Sequence, residues 1–179
     1  FIAYQMMFAI ITPALITGAF ANRVTFKAYL LFLIGWQIFV YYPFVHMIWG
    51  GGLLAEWGVL DFAGGIVVHA TAGFAALASV FYVGKRTVVH ERPNNIPLVA
   101  IGTALLWFGW YGFNAGSELQ MNGITAMAFL NTDIAASVAA VTWLILDWKF
   151  GPKKPTFIGL LTGSVAGLAT ITPAAGYVD

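Results

Sequence analysis

The chain has 179 residues, of which 60% are hydrophobic and 8% are charged. An ordinary soluble domain carries roughly a quarter of its residues as charged side chains, so this composition excludes a water-soluble enzyme. A mean hydropathy of +0.85 excludes a disordered chain. The net charge of +1, without any basic stretch, gives no sign of a nucleic-acid partner. The absence of cysteine excludes disulfides, zinc-thiolate sites and cysteine nucleophiles. We therefore predict an all-α integral membrane protein.

Apolar runs of about 20 residues, the length that a helix needs to cross a bilayer, follow one another along the chain. The six predicted spans cover 2–22, 28–48, 62–84, 95–115, 124–148 and 156–178. The first run has no basic region before it, so we predict no cleavable signal peptide. The chain begins and ends in apolar sequence. We expect it to be a segment of a longer protein and to form a single transmembrane domain over 1–179.

The basic residues predict the orientation of the spans. They all lie in three alternate connections: Arg23 and Lys27, then Lys85, Arg86 and Arg92, then Lys149, Lys153 and Lys154. The connections at 49–61 and 116–123 contain none. By the positive-inside rule the three basic connections are cytoplasmic, and both ends of the chain lie outside.

Small residues recur inside the spans, mainly over 63–79 and 159–169. Such residues allow helix backbones to approach closely in a membrane, so they predict a compact helix bundle.

Ionisable residues at membrane depth are costly and are therefore candidates for function. Asp61 opens the third predicted span, and His69 lies eight residues further in, about 12 Å deeper at the rise of an α-helix. His69 is either a hydrogen-bonded core residue or a group that exchanges protons with a small polar solute. For Asp61 the residues favour a cap at the start of the helix. Asp133, in the fifth span, should need a partner that the sequence does not identify.

Aromatic side chains cluster towards the outer side, and Ser117 follows them. They are Phe8 in the first span, Trp49 at the outer glycine-rich connection, and Trp107, Trp110, Tyr111 and Phe113 in the fourth span. Such a cluster is usually an interfacial belt. It could also hold a small cation through the ring faces.

Neither His46 nor His90 has the spacing of a metal ligand. No Ser-His-Asp order and no phosphate-binding loop are present, so we predict no metal, no cofactor and no enzymatic activity.

Four stretches in this order resemble the ammonium transporter family (Amt/Mep, with the Rh proteins as distant relatives). They are His46–Gly52, Leu60–His69, Gly109–Ser117 and Thr172–Val178, and together they extend over nearly the whole chain. The family fold is an eleven-helix bundle of two inverted halves, assembled as a trimer with a pore in each subunit. The resemblance implies that this chain corresponds to helices three to eight.

The resemblance implies an external ammonium site formed by Trp49, Ser117 and Phe8, in which ring faces attract the cation and the hydroxyl accepts a hydrogen bond. Asp61 corresponds to the family's acidic residue near that site, which acts mainly through structure and electrostatics.

Below the site, Phe8 and Phe113 correspond to the paired rings that close the pore. His69 corresponds to the first of two pore histidines, and the second belongs to a later helix that this chain lacks.

The implied function is transport of ammonium or ammonia, with methylammonium as an analogue, across the cell (plasma or inner) membrane. The alternative is an ammonium sensor with the same membrane fold. A homotrimer in the lipid bilayer is expected. A PII-type regulator on the cytoplasmic side is a further candidate partner.

Overall fold

The computed structural model describes residues 1–86 and 93–179, and all regular structure in these ranges is helical. His90 and Arg92, which the sequence places in the second cytoplasmic connection, lie outside the described residues. The chain divides into two compact units, Phe1–Glu91 and Arg92–Asp179. Each corresponds to three of the predicted spans.

The first unit contains two short π-helical segments within otherwise α-helical spans. Its elements in chain order are α1 (Ile2–Ala14), α2 (Thr17–Phe20), α3 (Phe26–Trp36), a first π segment (Gln37–Tyr41), α4 (Tyr42–Trp49), α5 (Leu53–Glu56), a second π segment (Gly65–Ala70) and α6 (Thr71–Val83). Helix α1 packs against both π segments.

The first predicted span is interrupted, because α1 ends at Ala14 and α2 begins at Thr17. Pro13 lies in the last turn of α1. Since proline has no backbone N–H, the carbonyl of Ala9, four residues earlier, loses its helical donor. The side-chain amide of Gln37 donates a hydrogen bond to that carbonyl instead. The polar Gln37 thus satisfies a carbonyl that would otherwise be left without a donor, which is costly inside a membrane.

Two arginines join the ends of α2 and α6 in the first unit. Arg23 donates to the carbonyl of Gly84 at 2.6 Å, and Arg86 donates to the carbonyl of Gly18 at 2.8 Å. A guanidinium group at the C-terminal end of a helix satisfies carbonyls that have no intrahelical partner. These contacts hold the ends of α2 and α6 together.

The second unit consists of three helices and a short 3₁₀ turn. They are α7 (Ile96–Ala115), the 3₁₀ turn (Gly116–Glu118), α8 (Gly123–Lys149) and α9 (Phe157–Ile171). Asn122 and Thr125 form a reciprocal capping box at the start of α8.

Glycines at every fourth position bring α9 directly onto α8. A Cβ added to Gly163 would meet the carbonyl oxygen of Ala139 at 2.8 Å, and one added to Gly167 would meet the carbonyl oxygen of Ala135 at 2.3 Å. These approaches confirm, for this helix pair, the close packing that the small residues predict.

Helix α9 is shorter than the predicted sixth span, 156–178. It ends at Ile171, and residues 172–177 form turns. Pro173 follows the end of the helix, where its missing N–H is tolerated. The side-chain amide of Asn131 donates to the carbonyls of Ala175 at 3.0 Å and Val178 at 2.7 Å. A side chain of α8 therefore satisfies backbone groups that are no longer helical.

In the described part of the chain, five helical stretches are long and apolar enough to cross a membrane. They are Ile2–Phe20, Phe26–Glu56, Gly65–Val83, Ile96–Glu118 and Gly123–Lys149, while Phe157–Ile171 is a shorter apolar helix. The protein is an all-α multi-pass membrane protein.

Candidate functional site

Asp61 caps the second π segment with both oxygens of its carboxylate. Oδ1 accepts hydrogen bonds from the backbone N–H groups of Gly64 at 2.9 Å and Gly65 at 2.6 Å. Oδ2 accepts from Ile66 at 2.8 Å and Val67 at 3.1 Å. Asp61 is only 5% exposed, so these bonds replace its lost hydration. A negative charge at this position also complements the positive end of the helical segment.

The predicted geometry of the third span is wrong at its start. The helical part begins at Gly65, not at Asp61, so the 12 Å of depth that α-helical rise would place between Asp61 and His69 does not apply. Asp61 precedes the helix and its side chain turns forward over the first N–H groups. The turn depends on Gly64, whose φ of +102° is disfavoured for residues with a Cβ.

Trp49 and Phe8 meet next to this cap. The indole N–H of Trp49, the last residue of α4, donates to the backbone carbonyl of Asp61 at 2.9 Å. The ring of Phe8 packs edge-on against Trp49, with centroids 5.5 Å apart and an interplanar angle of 82°. A Cβ added to Gly64 would approach the Trp49 ring to 3.3 Å. The indole ring is therefore fixed from two sides.

Phe8 is 2% exposed and lies in α1. A side chain this deeply buried is not part of an interfacial belt. Besides Trp49, its ring also packs edge-on against Tyr4, with centroids 5.1 Å apart. For Phe8 and Trp49, the structure therefore has an ordered aromatic pair.

His69 is half-buried and lies in the second π segment, the element that Asp61 caps. The next residues continue this element as α6, where the hydroxyl of Thr71 donates to the carbonyl of Val67 at 2.6 Å. The cap, the π segment and His69 thus form one continuous piece of backbone. In the first unit Trp49 contacts both Phe8 and Asp61, and the segment that Asp61 caps carries His69.

The second unit holds Phe113 and Ser117 one turn apart. The hydroxyl of Ser117 donates to the carbonyl of Phe113 at 2.8 Å, across the junction between α7 and the 3₁₀ turn. The Phe113 ring contacts Trp110, with centroids 5.4 Å apart, and packs against the core cluster of Trp110, Ala136 and Leu168. Trp110 is buried and donates from its indole to Thr172 at 3.0 Å. Trp110 is therefore a core residue and not a member of an interfacial belt.

Asp133 has a partner that the sequence did not identify. The Tyr111 hydroxyl donates to Oδ1 of Asp133 at 2.5 Å. The Tyr111 ring also stacks on Phe129, with centroids 4.1 Å apart and an interplanar angle of 16°. Both members of the Tyr111–Asp133 pair are half-buried. A phenol donor offsets part of the cost of a carboxylate at this depth.

Two polar residues beside Phe8, Thr12 and Gln37, were not predicted from the sequence. The hydroxyl of Thr12 donates to the carbonyl of Phe8 at 2.6 Å, and the side-chain amide of Gln37 donates to the carbonyl of Ala9. The sequence could have indicated the Gln37 contact. Pro13 leaves a carbonyl of α1 without its helical donor, and Gln37 is a hydrogen-bonding side chain within an apolar span. Among the described residues, no group of three His, Asp or Glu side chains could hold a metal ion.

The chain is thus a helical membrane protein in which Phe8 packs against Trp49 and Trp49 is bonded to the backbone of the capping residue Asp61. Its sequence matches the Ammonium Transporter Family over residues 1–179, and the chain belongs to that family. It is 52% identical over 176 residues to an ammonium transporter of Aquifex aeolicus, a match that covers 98% of this chain and 41% of that protein.

Two kinds of solved structure resemble it. The crystal structure of Candida albicans Mep2 aligns with a TM-score of 0.91 at 42% identity, covering 98% of this chain and 40% of that one. A structure described as a sensor Amt protein aligns with a TM-score of 0.88 at 35% identity, covering 98% of this chain and 47% of that one. The chain spans less than half the length of the relatives that it matches.

Proposed function

We propose that this chain supplies the outer ammonium-binding site and part of the conduction path of a transmembrane ammonium transporter. The observation that carries the proposal is the contact of Phe8 with Trp49, whose indole is tied to the backbone carbonyl of Asp61. This arrangement holds an aromatic ring in a fixed orientation next to a buried carboxylate. Membership of the Ammonium Transporter Family supports ammonium as the substrate.

Ammonium has a charge for ring faces and four N–H donors for acceptor oxygens. Trp49 would contribute its ring face, an interaction worth about 0.5–2 kcal/mol. The Ser117 hydroxyl gives its proton to the carbonyl of Phe113, so its oxygen can act as the acceptor that the resemblance implies. Asp61 would act through its cap and its charge, because its oxygens already accept backbone N–H groups.

Below the site we propose a gate and a pore. Phe8 and Phe113 would close the path to hydrated ions, and His69 would line the path beyond them. Loss of water disfavours the charged form of an amine, so dehydration would help ammonium to release a proton before ammonia passes. His69 would accept a hydrogen bond or relay that proton.

At the level of the whole protein, we propose transport without catalysis by a homotrimer in the cell membrane. This chain would form a single transmembrane domain within it, and methylammonium would serve as a substrate analogue. A PII-type regulator would bind on the cytoplasmic side.

The test is ammonium-evoked current from the full-length protein in proteoliposomes, with Trp49→Leu compared with Trp57→Leu. Trp57 is 69% exposed and follows α5 directly, so it is a matched control on the outer connection. We expect Trp49→Leu to raise the half-saturating ammonium concentration about two- to thirty-fold, which corresponds to one cation–π contact. Equal half-saturation in the two variants and the wild type would contradict the proposed site.

Transport itself is tested by varying the lipid-to-protein ratio. If charge crosses the bilayer, the decay rate of the current depends on protein density. The similarity to the sensor Amt protein supports an ammonium sensor as the second candidate function. A brief current whose decay does not depend on protein density would favour that candidate, because it would report binding without turnover.

A further inference from the structure

Three consecutive polar residues, Asn131, Thr132 and Asp133, interrupt the apolar sequence of α8. Each of them is hydrogen-bonded to another part of the second unit. Asn131 donates to two carbonyls of the turns after α9, and Asp133 accepts from Tyr111 of α7. Thr132 accepts from the side-chain amide of Asn114, in the last turn of α7, at 3.0 Å. Successive residues of an α-helix point in directions about 100° apart, so a row of three can reach both neighbouring helices.

The bond between Asn114 and Thr132 is shielded from water, because both side chains are 0% exposed. The hydroxyl of Thr132 also donates to the carbonyl of Ala128 at 2.6 Å, one turn earlier in α8. The proton of this hydroxyl is therefore used within its own helix. Its oxygen remains the acceptor for α7, so Asn114 donates and Thr132 accepts.

Asn114 satisfies only part of its amide group. Its Nδ2 donates to Thr132, whereas its Oδ1 is buried and has no hydrogen-bond partner in the described part of the chain. A buried acceptor without a partner destabilises the folded state, and an apolar side chain of similar size would avoid that cost. Stability alone therefore does not explain an asparagine at this position. Departures of this kind from a well-satisfied interior are expected at functional sites.

Asn114 lies between the two residues of the second unit that the proposed function uses. Phe113 precedes it directly, and Ser117 follows it by three residues in the 3₁₀ turn. Since the hydroxyl of Ser117 donates to the carbonyl of Phe113, the two belong to one turn of backbone. The Phe113 ring packs against a cluster that includes Ala136, one turn beyond Thr132 on α8. The bond from Asn114 to Thr132 thus fastens this turn to the helix on which Phe113 packs.

We infer that Thr132, through Asn114, is a positioning residue of the ammonium site and sets the turn that carries Phe113 and Ser117 against α8. Because Thr132 and Asn114 are fully buried, neither side chain contacts the ammonium ion. The effect on ammonium binding rests on the proposed function, whereas the effect on the turn does not. Two kinds of measurement separate them.

The first measurement places 4-fluorophenylalanine at position 113 of the full-length protein and records its ¹⁹F resonance in Thr132→Val and in Thr132→Ser. Valine keeps the shape of threonine and removes the hydroxyl, whereas serine keeps the hydroxyl and removes a methyl group. We expect the resonance to shift in Thr132→Val and to stay near its wild-type position in Thr132→Ser. Packing alone would give the opposite order. No shift in Thr132→Val, or an equal or larger shift in Thr132→Ser, would overturn the inference.

The second measurement is ammonium-evoked current. In Thr132→Val we expect the half-saturating ammonium concentration to rise about two- to ten-fold, the range for one hydrogen bond, with little change in maximal current. Thr132→Ser and Thr103→Val should keep the wild-type value. Thr103 is the matched control, because it is buried in α7 and its hydroxyl donates to the carbonyl four residues earlier, that of Val99, at 2.9 Å.

A double variant separates positioning from stability. Asn114→Leu together with Thr132→Val removes both partners of the bond and the unpaired Oδ1. The apparent Tm should therefore equal or exceed that of the wild type, since replacing both partners by apolar groups leaves no buried polar atom unsatisfied. We expect half-saturation to rise in this variant all the same. A clearly lower Tm would show that the pair is needed for folding and would overturn the inference.

The two proposals fail in different ways. If the ¹⁹F resonance shifts in Thr132→Val but half-saturation does not change, Thr132 positions the end of α7 as inferred and Ser117 has no part in ammonium binding. In a Ser117→Ala background Thr132→Val should add nothing to half-saturation, because the two residues act through one oxygen. The same rise in that background would overturn the inference and leave the proposed site standing.

Discussion

Asp61→Asn tests the cap most directly, because it keeps the size of the side chain and changes its bonding. In the wild type each carboxylate oxygen accepts from two backbone N–H groups, at 2.6 to 3.1 Å. An asparagine has one oxygen, and its amide group would face two N–H donors that it cannot bond. Two charge-assisted hydrogen bonds, each worth about 1.5–3 kcal/mol, are lost. We therefore expect the folded state to lose about 3–6 kcal/mol.

The assay is thermal unfolding of the purified full-length protein in detergent, followed by tryptophan fluorescence. A loss of about 3 kcal/mol should lower the apparent Tm by at least roughly 6 °C, taking about 2 °C per kcal/mol for a large domain. Glu56→Gln is the control, since Glu56 is an exposed acid in the same connection as Asp61 and its substitution makes the same change in charge. If Asp61→Asn unfolds at the temperature of Glu56→Gln, the cap does not stabilise the segment and our reasoning is refuted.

Three further substitutions test contacts within each of the two units, and each is measured as an apparent Tm against the wild type. Gly64→Ala should destabilise by about 1–2 kcal/mol or more because φ is +102°, whereas Gly73→Ala, which meets no atom within 4 Å, should be neutral or stabilising. Gly167→Ala should cost about 1–3 kcal/mol through overpacking, and a Tm equal to that of Gly73→Ala would contradict the close approach of α9 to α8. Tyr111→Phe should lower the Tm by leaving Asp133 without its phenol donor, and Asp133→Leu should restore part of the loss in the double variant. Additive effects of those two substitutions would show that the pair is not coupled.

The ends of the helices are predicted from hydropathy for some spans and not for others. The predicted fourth and fifth spans, 95–115 and 124–148, differ by one residue at most from α7 (Ile96–Ala115) and α8 (Gly123–Lys149). The third and sixth spans differ more, because hydropathy does not distinguish apolar helix from apolar turn. Such turns need partners for their backbone groups, and these come from Asp61 in one case and Asn131 in the other.

Within the candidate site, residues near one another in sequence were easier to interpret than residues on different helices. The cap by Asp61 joins neighbours in the chain, and residue type and position predicted it. The pairing of Asp133 with Tyr111 joins side chains of two helices. No spacing rule relates α7 to α8, so only their packing could identify the partner.

Composition and charge alone determined that this is a helical membrane protein. A segment that crosses lipid must be long and apolar, and the basic residues of such a protein are confined to alternate connections. Motif order alone indicated its family. The tertiary structure decided that Trp49 contacts both Phe8 and Asp61, and that Gln37 bonds to the backbone carbonyl of Ala9 beside Phe8. Hydropathy records how much each residue prefers lipid, whereas these contacts depend on two backbone carbonyls: that of Ala9, whose helical donor is missing at Pro13, and that of Asp61, which precedes the helix.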